Sequence, residues 1–274
     1  MAIRLAALDV DGTLLTSENI ISSESKRAIC EAAEQGIEIV INTGRSYSET
    51  RYLSDQLPQV RYMICATGAY ILDLQTMKIL GQRSMPAELG RRAYDALRGF
   101  DCMVHYFTEL DVRNDRSCLE NFARYMPEYA RPLIKNTHTM VDSLDAYVAQ
   151  WQGPVEKLYV SFPDTDVQAR AIAAVRDLPV YVTDGGLLDM EIVSREANKG
   201  AALEDLAKLL GIAREEVLAM GDSGNDCAML AYAGVGAAMG NASEKAKRAA
   251  DLVAPGNDEE GVAWMLRRAA RGEI

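Results

Sequence analysis

Residues 3–8 form an apolar run, broken by Arg4, that reads as a short buried strand ending in Asp9-Val10-Asp11-Gly12-Thr13-Leu14. That ending constrains the fold more than any other stretch. Packing favours apolar residues where a buried strand ends, and an unpaired buried carboxylate is costly. In a strand, residues i and i+2 face the same way, so the spacing predicts that Asp9 and Asp11 converge on one point, such as a divalent cation. Asp and Gly are also common turn residues, and a solvated turn is the plain alternative.

The bulk numbers narrow the classes. A chain of 274 residues suggests one large domain or two of ordinary size. With 40 acidic against 29 basic residues, the formal net charge is -11. A general binder of nucleic acid or of an anionic membrane needs a basic face, so neither is expected as a partner. Phosphorylated small molecules stay open, since a site can be locally positive on an acidic protein. The five cysteines are scattered and form no CxxC pair, which indicates neither a disulfide framework nor a zinc site. No signal peptide and no membrane span is read from the sequence, and a cytoplasmic protein is expected. Oligomeric state is not legible.

Alternation of strands and helices gives the architecture. Residues 22–35 read as a helix capped by Ser22 or Ser23, with Ala28, Ile29, Ala32 and Ala33 inward and Gly36 as its stop. Residues 37–41 read as a second buried strand ending at Asn42-Thr43-Gly44-Arg45. A helix follows to about Gln56, and a third strand over 62–66 ends at Thr67-Gly68-Ala69. Strand, helix, strand, helix, strand is the pattern of a parallel sheet with right-handed crossovers, in which ligands sit beyond the carboxyl ends of the strands. From about residue 84 the pattern turns mixed, with helices over 87–100, 143–151 and 164–178 and strands over 103–107, 155–162 and 179–182. Asp184-Gly185-Gly186 then punctuates the chain. Clean alternation resumes with a strand over 190–193, a helix over 200–210, a strand over 217–220, a glycine-laced strand over 234–239 and a last helix over 262–271. The expected class is α/β. A Rossmann-like parallel-sheet core takes residues 1–83 and 188–274, and an α+β domain takes the insert 84–187.

Three further groups carry chemistry. Gly221-Asp222-Ser223-Gly224-Asn225-Asp226 joins a strand to a helix. If that strand neighbours the first, four carboxylates share one crevice, which requires a cation among them. Oxygen-only ligands select a hard ion, and Mg²⁺ is the usual one where phosphate is the partner. Helix capping by Asp222 or Asn225 is the plain alternative. Thr43 and Gly44 offer a hydroxyl and an approachable N–H at a strand end, which suits a phosphate oxygen or an ordinary turn. Lys199 opens a helix, where its charge opposes the dipole and so suggests a negative partner; alone it reads as a solvated surface charge.

Together these strings resemble a known family. Asp9-Val10-Asp11-Gly12-Thr13-Leu14, Thr43-Gly44-Arg45, Asn198-Lys199-Gly200 and Gly221-Asp222-Ser223-Gly224-Asn225-Asp226 resemble, in order and spacing, the four motifs of the haloacid dehalogenase-like phosphatase superfamily. Ala238-Met239-Gly240-Asn241-Ala242 and Asp258-Glu259-Glu260-Gly261-Val262 resemble its Cof-type branch, which carries a C2B α/β cap where the insert falls. Thr67-Gly68-Ala69 departs from that branch's usual Asn-Gly-Ala.

The resemblance implies a fold and a mechanism. Asp9 is expected as the nucleophile that takes the phosphoryl group, and Asp11 as the general acid and then base. Mg²⁺ is expected on Asp9, the Asp11 backbone carbonyl and Asp222, supported by Asp226. Thr43, Gly44 and Lys199 are expected on phosphoryl oxygens, and Asn225 orients a ligand or phosphate group. The function implied is a Mg²⁺-dependent phosphatase of small phosphorylated metabolites, sugar phosphates first. The rivals are a phosphomutase or phosphotransferase with the same nucleophile, and a non-catalytic phospho-ligand-binding protein. Outside this set, His105 and His138 read as packing or surface residues. Arg45 either contacts phosphate or pairs with a carboxylate, and Asp258-Glu259-Glu260 read as the cap of the last helix.

Overall fold

The computed structural model describes residues 2–183 and 188–274, so the Asp184-Gly185-Gly186 punctuation lies outside the described residues. In chain order the strands are β1 (Leu5–Leu8), β2 (Glu38–Asn42), β3 (Tyr62–Cys65), β4 (Tyr70–Asp73), β5 (Lys78–Gln82), β6 (Met103–Thr108) and β7 (Asp111–Asp115). They continue with β8 (Thr139–Val141), β9 (Lys157–Ser161), β10 (Val180–Thr183), β11 (Asp189–Ser194), β12 (Val217–Gly221), β13 (Val235–Ala238) and β14 (Leu252–Val253). Among the described residues they form an eight-stranded sheet, β14-β13-β12-β1-β2-β3-β4-β5, and a six-stranded sheet, β10-β11-β9-β6-β7-β8. The chain divides into two compact units: residues 1–44, 52–82 and 198–274, and residues 45–51 and 83–197.

In the first unit, β1 lies between β12 and β2, parallel to both, and all four of its residues are buried. A strand flanked by neighbours and covered on both faces reads as a continuous apolar run, which is what Leu5-Ala6-Ala7-Leu8 is. The register pairs Leu8 with Met220 on one side and with Ile41 on the other. Asp9, Gly221-Asp222 and Asn42-Thr43 therefore leave the sheet at the same edge. Among the described residues of this sheet, only β4 and β5, which the sequence pattern did not bring out, pair antiparallel. Helix α1 (Ser23–Glu34) starts where Ser22 Oγ accepts from the Ser25 N–H at 2.9 Å. Its Ala28, Ile29 and Ala32 are buried, and its Glu24 and Glu31 pair with Arg267 of the terminal helix Gly261–Ala270.

The second unit is built on the six-stranded sheet, antiparallel except where β7 meets β8. Tyr106, Leu158, Val160, Phe162, Met190 and Ile192 join a buried apolar cluster with Ala93, Leu97, Ala171 and Val175 of two helices, Ala87–Leu97 and Thr165–Val175. The register sets His105, Tyr159 and Glu191 side by side, and alternation puts them on the opposite face. The strand at 190–193, read from the sequence as the first of the returning core, belongs here: β11 pairs antiparallel with β9 and β10. Its position after the insert suggested the core, but its polar Asp189 and Glu191 set it apart from the continuous apolar runs of the eight-stranded sheet.

Candidate active site

Asp9 does not continue the strand. β1 stops at Leu8, Asp9 is extended (φ -68°, ψ 163°), and residues 10–14 close a short irregular helical turn with Gly12 at φ 75°. The i, i+2 argument for Asp9 and Asp11 therefore fails in its physical basis. The Asp9 carboxylate is buried, with the residue 4% exposed, whereas Asp11 is exposed. Gly12 is required by more than its φ. A Cβ there would lie 2.6 Å from Asp222 Oδ2, so the glycine lets the loop after β1 close against the loop after β12.

Asp9, Asp222 and Asp226 place one carboxylate oxygen each within 4.8 Å of one another. The Lys199 ammonium lies between two of them, 2.6 Å from Asp9 Oδ1 and 2.6 Å from Asp226 Oδ1. Lys199 is the first residue of the helix Lys199–Leu209, capped by Asn198, whose Oδ1 accepts from the Ala201 N–H at 2.8 Å. It is 1% exposed, so the solvated-lysine alternative is excluded. Asp226 is fully buried, and its Oδ2 accepts from the Asp222 and Ser223 N–H groups at 3.0 and 2.8 Å. The bonds at the start of this turn come from Asp226 and not from Asp222 or Asn225, and Asp226 is buried against Lys199, so the plain alternative of capping by those two residues does not account for the loop.

The electrostatics follow from crowding. Burial, and then the Asp226 charge, push the Asp9 carboxyl well above the ordinary carboxylate range, against the pull of Lys199. Burial and Asp226 likewise push Asp222 up to about 6. Burial alone would lower the Lys199 ammonium, but Asp226 and Asp9 outweigh it and raise it. Three carboxylates around one ammonium leave a surplus of negative charge in a desolvated place. A divalent cation among these oxygens would remove the conflict. An oxygen-only set rich in carboxylate fits a hard ion such as Mg²⁺ and does not fit a soft one.

The other expected residues fall as follows. Thr43 is buried at the end of β2, with its N–H donating to the Ile64 carbonyl at 2.8 Å, and Gly44 next to it is half-buried. Asn225 is half-buried and its Oδ1 accepts from Ser223 Oγ at 2.9 Å. The Asp11 carboxylate lies outside the cluster of three. Asp258, Glu259 and Glu260 do not cap the last helix. Asp258 accepts from the Ser17 N–H at 2.8 Å, Glu259 from the Gly256 N–H at 3.1 Å, and Glu260 from Ser22 Oγ at 2.6 Å. Glu260 precedes the helix in a left-handed conformation (φ 59°), which turns its side chain to α1 instead.

Sequence reasoning missed two supports. Asn241 donates through Nδ2 to the Gly12 carbonyl at 2.8 Å and fixes the loop that carries Asp11. It follows β13, so the rule that ligands gather at carboxyl ends of parallel strands would have found it. Gly68, at φ 88°, lies against the Asn198 carbonyl, which a Cβ would meet at 2.3 Å. The turn after β3 thereby seats the start of the Lys199 helix, and Asn42 Nδ2 adds a bond to the Lys199 carbonyl at 3.1 Å.

Residues 6–266 match the family model described as haloacid dehalogenase-like hydrolase. The chain is 33% identical over 285 residues to phosphatase YwpJ of Bacillus subtilis (strain 168), covering 96% of this chain and 99% of that one. It is 29% identical over 275 residues to 5-amino-6-(5-phospho-D-ribitylamino)uracil phosphatase YcsE of the same organism, covering 97% and 95%. A crystal structure of a haloacid dehalogenase-like hydrolase from Bacteroides thetaiotaomicron superposes with a TM-score of 0.83 at 26% identity, over 97% of this chain and 99% of that one. With a cluster of carboxylates at the ends of parallel strands and relatives named as phosphatases, the chain belongs to the haloacid dehalogenase-like hydrolases of the Cof type and is a phosphoric monoester hydrolase.

Proposed function

We propose that the protein is a Mg²⁺-dependent phosphatase of small phosphorylated metabolites, foremost sugar phosphates, that works through an aspartyl-phosphate on Asp9. The observation that carries this reading is the buried Asp9–Lys199–Asp226 contact beside Asp222. Such a cluster makes little sense as packing, since apolar residues of the same volume would be at least as stable there. Mg²⁺ held by Asp9, Asp222 and the Asp11 carbonyl, with Asp226 in support, would offset the charge of the phosphoryl oxygens.

An Asp9 carboxylate oxygen bonds to phosphorus as the ester P–O bond breaks. Asp11, whose exposed carboxyl is in contact with solvent, gives the leaving alcohol its proton. It then accepts a proton from the water that attacks the aspartyl-phosphate, releasing phosphate and regenerating Asp9. Lys199 meets the charge on Asp9 and on the transferring oxygens, and Thr43, Gly44 and Asn225 position those oxygens. Positioning and charge stabilisation are most of what phosphoryl transfer asks of a protein.

The residues of the second compact unit, 45–51 and 83–197, would set selectivity as a cap that excludes water from the substrate. Relatives named for a 5-phospho-D-ribitylamino compound and for pyridoxal phosphate support a phosphomonoester of a small polar or heterocyclic alcohol. Among the described residues no helix is long and apolar enough to cross a membrane. The test is phosphate release from p-nitrophenyl phosphate, expected with Mg²⁺ and absent with EDTA. A panel of phosphorylated metabolites then names the substrate. An isomeric phosphate ester in place of free phosphate would instead identify a mutase.

A further inference from the structure

The chain has two histidines, and both are buried in the second unit, His105 at 1% and His138 at 8% exposure. They are not isolated packing residues. His138 Nε2 lies 3.0 Å from Glu49 Oε1, and His138 Nδ1 lies 2.6 Å from Asn114 Oδ1. Asn114 Nδ2 lies 3.3 Å from the Val104 carbonyl and 3.0 Å from His105 Nδ1. The carbonyl can only accept, which fixes the amide orientation of Asn114. Asn114 therefore donates to His105 Nδ1 and accepts from His138 Nδ1. Both ring nitrogens of His138 then face oxygens, Asn114 Oδ1 on one side and Glu49 Oε1 on the other, and His138 Nε2 pairs with Glu49. The ring of His105 meets those of His138 and Tyr159 edge-on, at centroid separations of 5.5 and 5.4 Å. These rings fill the space around the bonds.

Glu49 uses its other oxygen elsewhere. Oε2 accepts from the Ser46 N–H at 2.8 Å, at the start of helix α2 (Tyr47–Gln56). The Ser48 N–H also donates, at 3.0 Å, to the Leu110 carbonyl in the connection between β6 and β7. The turn 45–51 is thus tied to the six-stranded sheet, and it belongs to the same compact unit as residues 83–197. Thr43 and Gly44 belong to the unit that holds Asp9. The divide between units falls inside the Thr43-Gly44-Arg45 string itself. A helix start needs only a Ser or Asp cap on its own turn, so the buried contact of Glu49 with His138 does more than cap α2. Burying a charge pair also costs desolvation, and a registry role is its best-attested use.

We propose that Glu49 and His138 are positioning residues for the phosphatase reaction, their contact fixing the turn that carries Arg45 to the six-stranded sheet so that this turn meets the substrate in one place. The inference rests on the proposed phosphatase site. It assigns Arg45 to the set of residues carried by the substrate-selecting unit. Breaking the network is expected to leave the chemistry at Asp9 intact and to loosen the hold on substrate.

The experiment compares steady-state kinetics on p-nitrophenyl phosphate with Mg²⁺ for Glu49→Ala, His138→Ala, the double variant and Glu49→Gln, with folding checked by circular dichroism. Each alanine variant is expected to raise KM about tenfold with kcat within about twofold, the pattern of lost binding shared by ground and transition states. The double variant is expected to be no worse than the poorer single one, because one bond is being broken. Glu49→Gln is expected to stay near the wild-type KM: its oxygen still accepts from the Ser46 N–H, and its amide still reaches His138 Nε2. A purely structural role would lower the active fraction, reducing kcat at unchanged KM. An alanine-variant KM within about threefold of wild type therefore overturns the inference, as does a Glu49→Gln as impaired as Glu49→Ala. If an alanine variant does not fold, Glu49→Asp, which keeps the charge and shortens the reach, takes its place with the same two outcomes. An Asp9→Asn that keeps its activity overturns the proposed site and this inference with it. An inactive Asp9→Asn beside variants of wild-type KM overturns this inference alone.

Discussion

Each compact unit buries charge, and the two do it differently. In the first, Lys199 faces Asp9 and Asp226 at 2.6 Å each, with Asp222 close by, so the ammonium is outnumbered. In the second, charges are matched one to one: Glu49 with His138 at 3.0 Å, and Lys157 with Glu191 at 2.8 Å. The titration behaviour follows. Asp9 and Asp222 are pushed up, whereas Glu49, despite its burial, is brought down to about 2 by the hydrogen bond and charge of His138 and by the Ser46 N–H. A matched pair is complete in itself and holds shape. An unmatched cluster with surplus negative charge calls for a cation, and such an imbalance among buried titratable groups is a mark of functional sites.

The comparison breaks most sharply at Asp9. Asp9→Asn removes the nucleophile but barely changes volume, and phosphate release is expected to fall at least about a thousandfold. The same substitution removes one like charge from the crowded cluster, so thermal stability in EDTA is expected to hold or rise. A large loss of stability together with residual activity would mean that Asp9 serves the fold and not the reaction. Next in size is the ammonium. Lys199→Met leaves Asp9 and Asp226 buried without their partner, which costs about 3–5 kcal/mol for a broken buried pair. Because the damage is unopposed negative charge, Mg²⁺ is expected to restore part of that stability, measured by urea unfolding with and without the ion. A metal-independent loss would count against a cation site at these oxygens.

How much of this was legible in the sequence differs between the units for the same reason. The first unit announces itself because its chemistry lies at strand ends, where acids interrupt apolar runs: Asp9 after Leu8, Asp222 after Gly221, Thr43 after Asn42. The parallel register then brings these positions to one edge without further information. What failed there was local. The i, i+2 rule was applied to Asp9 and Asp11 one residue after the strand had stopped. In the second unit the polar residues lie within strands and pair across them, as His105 with Asn114 and Lys157 with Glu191. Alternation along β6 or β9 shows a polar face but not its partner. Glu49 sits 89 positions from His138, and no spacing rule connects them. Nor did alternation show that residues 189–194 pair with β9 and not with β12. Antiparallel partners come from topology, which one sequence does not print.

The smallest expected effect comes from a buried carboxylate in the second unit that departs from the matched pattern. Glu156 is buried, its Oε1 accepts from the Leu110 N–H at 3.1 Å, and its buried Oε2 has no hydrogen-bond partner among the described residues. Burial pushes its carboxyl up to about 7 from an ordinary 4.5, against the pull of that N–H and of Arg113. The consequence for stability has a definite sign. Below pH 4.5 the group is protonated in both folded and unfolded chains and contributes no difference. Between 4.5 and about 7 the folded chain holds the proton that the unfolded chain has released, so stability falls as pH rises. Above about 7 both states are ionised and the full penalty, about 3 kcal/mol at ~1.4 kcal/mol per pH unit, stays in place. Glu156→Gln is neutral throughout and keeps an acceptor for the Leu110 N–H. The variant is therefore expected to gain on the wild type by about 2–3 kcal/mol between pH 4 and pH 8 in urea unfolding, with kcat unchanged. If the two proteins keep a constant stability difference across that range, Glu156 is ionised in the fold with a partner of its own. The second unit would then be charge-matched throughout, and the contrast with the Asp9 cluster would be sharper still.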